Sequence, residues 1–161
     1  MTHTTPVRPP SWLAHLEASR HRLALLTGSQ GARVAIENVQ RIVPGCMVLN
    51  LGLALSRRLL DISSHQRPAQ APILLADLLA DQEPTMLYDI ELLFDPILQL
   101  EPLRALKAAS RSRTLLVLWP GASEDEGLTY AKPGHPEYKR YGPADLMNIL
   151  VVPVAELTLE A

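Results

Sequence analysis

The sequence predicts a parallel α/β fold, and three observations carry that expectation. Apolar runs suited to strands alternate with segments of helical periodicity along the chain. The first run, Leu23 to Thr27, is apolar almost throughout, as a central strand buried on both faces must be. It leads into a glycine-rich turn, Gly28-Ser29-Gln30-Gly31, and a helical pattern leaves that turn at Ala32. Strand, glycine turn and helix in that order are the setting a phosphate-binding loop needs. Backbone N–H groups and a helix N-terminus can then face one anion.

Residues 1–10 are polar, carry three prolines and are expected to form a flexible arm, with one domain over 11–161. Ser11 is placed as the cap of a short helix in which Trp12, Leu13 and Leu16 share a face. The helix after the glycine turn spans Ala32 to Ile42, with Val34, Val39 and Ile42 inward, and Pro44-Gly45 ends it. A second strand is expected at Cys46–Asn50, then a helix reaching about Ile62 with Leu55, Leu59 and Ile62 in one stripe and Arg57, Arg58 and Asp61 on a solvated face. Ser63 to Pro72 reads as a loop and Ile73–Leu79 as a short helix. The third strand runs from Thr85 to Phe94 and turns acidic near its end. Asp95 and Pro96 are a cap and first-turn proline, and Pro102 restarts a helix that reaches Ser110 with Leu103 and Leu106 inward. Thr114–Trp119 is the fourth strand. A mobile acidic loop at Ser123–Gly127 follows, then Leu128–Tyr141, which shows no periodicity. Residues Pro143–Asn148 have room for one or two helical turns, and Ile149–Val152 is the last strand.

The whole-chain balance narrows the function classes. The 161 residues suit a single domain with a real core. Fifteen basic and seventeen acidic residues give a formal charge of −2, and aromatics are only 4%, so neither a strong general attraction to nucleic acid nor a stacking platform is expected. The one cysteine, Cys46, excludes an internal disulfide and sits among apolar neighbours as a structural thiol. No apolar run has the length of a membrane span and the N-terminus does not read as a signal peptide, so a soluble cytoplasmic protein is expected.

The glycine turn departs from the full G-x-x-x-x-G-K-[ST] pattern. Counted from Gly28, glycine, lysine and a hydroxyl residue would fall at 33 to 35, where the chain has Arg33, Val34 and Ala35. With the loop one residue shorter, Arg33 takes the lysine position and no hydroxyl follows. Gly28, Ser29, Gln30, Gly31, Ala32 and Arg33 are therefore the candidate phosphate-binding residues, against the plainer reading of a turn between strand and helix. Asp89 and Glu91 stand where a P-loop enzyme needs a carboxylate to orient Mg²⁺ and the attacking water. On an extended strand both would point to one side, with Asp89 the candidate metal ligand. The plainer alternative makes them rim residues or partners of Arg111 or Arg113. Those two arginines, ahead of the fourth strand, are candidates for reaching phosphates or a neighbouring subunit, although cations near a helix end need no such role. Arg104 and Lys107 read as a solvated helix face. Tyr130, His135 and Tyr138, in the aperiodic segment, are the candidate partner surface.

The series Asp89 to Pro96, Leu103 to Leu106, Ser110 to Thr114, Trp119 with Gly121, and Leu128-Thr129-Tyr130-Ala131-Lys132-Pro133-Gly134-His135-Pro136-Glu137-Tyr138 resembles the BrxF family. These are the small P-loop proteins of type 3 BREX anti-phage defence systems, and the resemblance covers roughly residues 20 to 152. It implies a RecA-like P-loop fold, a five-stranded parallel sheet with helices on both faces. It implies ATP and Mg²⁺ as ligands and a place beside a DNA methyltransferase, a large ATPase and a phosphatase-like protein; self-association is a separate expectation. The lost lysine and hydroxyl imply weak or absent ATPase activity, so nucleotide binding and partner assembly are the expected function. An active ATPase of the defence complex and a DNA-binding accessory protein are the alternatives.

Overall fold

The computed structural model describes residues 9–81 and 83–158. Most of the expected arm, residues 1–8, and the last three residues lie outside that range. A parallel sheet of five strands forms the centre, in the order β2-β3-β4-β1-β8: Leu23–Thr27 (β1), Met47–Asn50 (β2), Thr85–Tyr88 (β3), Leu115–Leu118 (β4) and Leu150–Pro153 (β8). Ala24 pairs with Leu116 on one side and Leu150 on the other, so β1 is an interior strand, as its continuous apolar run requires.

Alternation along the strands divides the core in two. Leu23, Leu25, Leu87, Leu115 and Val117 turn to one face. There they meet Leu51, Leu55 and Leu59 of α3 (Leu51–Leu59), Ala71, Leu75 and Leu79 of α4 (Arg67–Leu79), and Leu103 and Leu106 of α5 (Pro102–Ala109). Ala24, Leu26, Met86, Leu116 and Val152 turn to the other face. That face is covered by Leu13 and Leu16 of α1 (Ser11–Glu17) and Ala35, Val39 and Ile42 of α2 (Ala32–Ile42). The chain thus leaves β1 over one face and returns to β3 and β4 over the other. In such sheets the crevice at the strands' C-terminal ends, where connections diverge, is where ligands sit.

Several local expectations are corrected. The cap of α1 is Pro10, and Ser11 is its first residue. Val34 is 40% exposed, because α2 packs on the sheet through Ala35, Val39 and Ile42. The helix expected to reach Ile62 ends at Leu59, and Arg58 on its solvated face is ion-paired with Asp77 (2.8 Å). The segment expected to be a loop is helical from Arg67 onward, with Pro72 inside α4. The third strand stops at Tyr88, and Glu91–Phe94 is a 3-10 turn.

The largest departure lies after β4. The acidic segment and the aperiodic one build a three-stranded antiparallel sheet from Ala122–Glu124 (β5), Gly127–Tyr130 (β6) and Lys139–Tyr141 (β7). An aromatic cluster fastens it to the main body. Phe94 lies edge-on to Trp119 and against Tyr130, and Trp119 lies edge-on to Tyr141. Trp119 Nε1 donates to the Thr129 carbonyl (2.9 Å), and the Tyr141 hydroxyl donates to Glu101 at the head of α5.

Candidate functional site

The β1–α2 turn bends only because two of its residues lack side chains. Gly28 has φ +138° and Gly31 has φ +86°, in the region that L side chains rarely adopt. A Cβ on Gly28 would also stand 2.2 Å from the Gln30 Oε1 atom. Gly31 occupies the N-cap of α2 and carries no side chain to satisfy the first N–H groups, and the first turn of the helix contains no acid. Those N–H groups and the positive end of an eleven-residue helix are left facing outward beside the turn.

Opposite them the chain leaves β3 through Asp89 at φ +51°, a left-handed residue that turns the backbone sharply. Its carbonyl accepts from the Gly52 N–H (2.9 Å), an approach a larger residue would block, since a Cβ on Gly52 would lie 2.7 Å from that oxygen. Its carboxylate accepts from Asn50 Nδ2 (2.9 Å), while Asn50 Oδ1 caps α3 by accepting from the Leu53 N–H (3.0 Å). Asn50 therefore ties the end of β2, the start of α3 and the Asp89 carboxylate into one unit. Glu91 opens the 3-10 turn that follows.

These pieces border a single cleft of 270 Å³ lined by Gly28, Ser29, Gly31 and Ala32 on one side and Asp89 and Glu91 on the other. Leu118, Trp119, Pro120 and Gly121, at the end of β4, close it. Glu91 reaches the cleft by the turn at Asp89 and not by strand alternation. The Trp119–Gly121 wall is held by the second sheet: a Cβ on Gly121 would fall 1.7 Å from the Thr129 carbonyl oxygen.

The remaining sequence candidates are placed elsewhere. Arg33, the possible lysine substitute, is not among the cleft-lining residues. Its side chain is 91% exposed and Nε bonds Glu37 Oε1 at 3.2 Å along α2. Arg111 and Arg113 precede β4, at the opposite end of the strands from the cleft. Arg113 lines an apolar groove between α4 and α5 and donates to Ser112 Oγ (3.2 Å), and Arg111 is exposed. Neither is ion-paired with Asp89 or Glu91 among the described residues, so the structure does not bring those arginines to this cleft.

Tyr130 is half-buried on Phe94, and burial first, then the nearby Glu137 and Glu91 carboxylates, raise its phenol above the ordinary range. It is part of the joint between the two sheets more than an open contact surface. His135 is exposed, with Nδ1 accepting from the Glu137 N–H (3.0 Å), and Tyr138 is half-buried. Sequence reasoning missed the role of Asn50 and the Trp119 wall. A polar residue closing an apolar strand directly before a helix was the available signal for the first.

Backbone N–H groups with the Ser29 hydroxyl suit phosphate oxygens, and two carboxylates suit a water-coordinated Mg²⁺. Among the described residues no group of three or more His, Cys, Asp or Glu side chains could hold a metal by itself. A cation would therefore rely on phosphate oxygens for its remaining ligands, the ordinary habit of Mg²⁺. No helix of the described residues is long and apolar enough to cross a membrane. No protein family, curated protein or solved structure matches the chain.

Proposed function

We propose that the chain is a RecA-like P-loop subunit with a degenerate loop, which binds Mg²⁺-ATP in the β1–α2 cleft and hydrolyses it weakly or not at all. The observation that carries this is the convergence of the glycine turn, the uncapped start of α2 and the Asp89 and Glu91 carboxylates on one cleft. Among the described residues no basic side chain lines that cleft. Free ATP would meet two carboxylates with nothing to offset them, a repulsion of about 1 to 4 kcal/mol per close pair. Asp89 would hold a Mg²⁺ ion whose charge would offset that repulsion, so binding should depend on the metal. In this reading Glu91 would orient solvent and the loop N–H groups would grip the phosphates. With Arg33 engaged by Glu37 and no loop lysine, charge developing on a transferred phosphoryl group goes unneutralised.

The resemblance of the Asp89–Tyr138 series to the BrxF family supports a place in a BREX-like defence complex, where nucleotide binding governs assembly with the large ATPase, the methyltransferase or the phosphatase-like protein. Calorimetric titration with ATP tests the core of the proposal. Binding at least tenfold weaker without Mg²⁺, and weaker again in Asp89→Asn, is expected. No heat and no thermal shift at millimolar ATP with Mg²⁺ would overturn it. A pull-down with the neighbouring defence proteins tests the assembly role separately.

A further inference from the structure

A cleft of 460 Å³ lies away from the glycine turn, between α5 and the edge strand β7, and shares no lining residue with the cleft there. Arg104 and Lys107 line it from α5, spaced three residues apart on one face, and Lys139 and Arg140 line it from β7. Two carboxylates also line it and accept hydrogen bonds from neutral donors. Glu101 caps α5 by accepting from the Arg104 N–H (2.7 Å) and accepts from the Tyr141 hydroxyl. Asp145 accepts from the Gly142 N–H (2.9 Å). Among the described residues none of the four cations is ion-paired, and Lys107 Nζ reaches only the Asp145 backbone carbonyl (2.7 Å).

The four basic residues outnumber the two acidic ones in this lining, and that excess of positive charge favours an anionic partner. We propose that this cleft binds the phosphodiester backbone of nucleic acid, independently of base sequence. The lining decides between a nucleic acid and an acidic protein. Protein interface centres are depleted in lysine and rich in exposed aromatic and aliphatic anchors. Here two of the four cations are lysines, while the apolar members, Leu103 and Tyr141, are buried in the fold. Backbone-directed nucleic-acid surfaces are polar and basic in this way, and two arginines supply the forked donors that match phosphate oxygens. Among the described residues no exposed aromatic side chain lines the cleft for base stacking, so binding should tolerate any sequence. Four basic against two acidic lining residues give this face a local excess of positive charge that the overall charge of −2 does not show.

The test is fluorescence anisotropy with a labelled duplex of ~30 base pairs and mixed sequence. Four phosphate contacts predict a slope of log K against log salt of about −3.6, so affinity should fall about 150-fold between about 50 and about 200 mM salt. The double variant Arg104→Gln/Arg140→Gln should make the slope shallower by about 1.8, and Arg57→Gln, exposed on α3, should leave it unchanged. Should the double variant fail to fold, Lys139→Gln at the exposed edge should give half that change. No binding at the lower salt, an unchanged slope in the cleft variants, or displacement of the duplex by polyglutamate as readily as by unlabelled duplex would each overturn the proposal. Pyrophosphate that binds at the cleft while the duplex does not would overturn it as well.

Discussion

A small number of side chains decide how the cleft at the strand ends is held, and Asn50 is the first of them. It caps α3 and hydrogen-bonds the Asp89 carboxylate. Asn50→Ala removes both bonds, and a lost cap alone costs about 1 kcal/mol. The melting temperature should fall by about 2 to 4 °C, and Mg²⁺-ATP binding should weaken in the same variant because Asp89 is no longer positioned. Asn50→Asp keeps the capping oxygen but sets a second carboxylate beside Asp89. Its melting temperature should therefore lie further below the parent at low salt than at high salt, where the repulsion is screened. Thermal melts at the two salt concentrations separate these cases. Arg33 decides the opposite question. The sequence made it the possible cation of the loop, yet a helix directs residues three and four apart to one another, and Glu37 is its neighbour at that spacing. A linear motif count has no access to that competition.

The elements themselves were legible where burial is continuous and obscure where it is partial. The bounds of β1 and α2 match expectation, since a run of five buried residues and a stripe of Ala35, Val39 and Ile42 leave strong patterns. Asp89 and Glu91 were placed beside the glycine turn from their position after an apolar run, although Ile90, Leu93 and Phe94 were read as strand. Those buried side chains fit a 3-10 turn equally well in so short a stretch. Pro72 misled in the other direction. The bond it cannot make costs about 3 kcal/mol, but burial of Ala71, Leu75 and Leu79 along α4 outweighs it. The second sheet was invisible because β5 is exposed throughout and β7 buries only Tyr141, so no alternation marks them. Their order comes from cross-strand pairing and the aromatic joint, which are tertiary facts. Gly121 is the tightest point of that joint. Gly121→Ala forces a methyl into the Thr129 carbonyl and should destabilise the protein by about 3 kcal/mol, measured by urea unfolding. Proteolysis within β5 and β6 should accelerate in parallel.

At the scale of the whole molecule, stability should be sensitive to alkali through groups kept neutral by the core. Burial pushes the Cys46 thiol from its ordinary 9.0 up to about 11. Below pH 9 the folded and unfolded chains both hold that proton. Between pH 9 and about 11 the unfolded chain releases it and the folded chain does not, so stability falls as pH rises through that window. The loss should be on the order of 1 to 2 kcal/mol, and Cys46→Ala should remove that part of the decline in melts taken from pH 8 to 11. The phenol of Tyr141 is raised in the same sense, first by burial and then by Glu101 beside it. The sheet order has a consequence for synthesis. Ala24 gains its second neighbour only when Leu150 arrives, after the whole second sheet has been made. Until then the most apolar strand of the protein is an open edge, with an unpaired ladder of amides on the emerging chain. Folding is therefore governed by late, sequence-distant closure, and a chain stalled before β8 would present a ready template for aggregation.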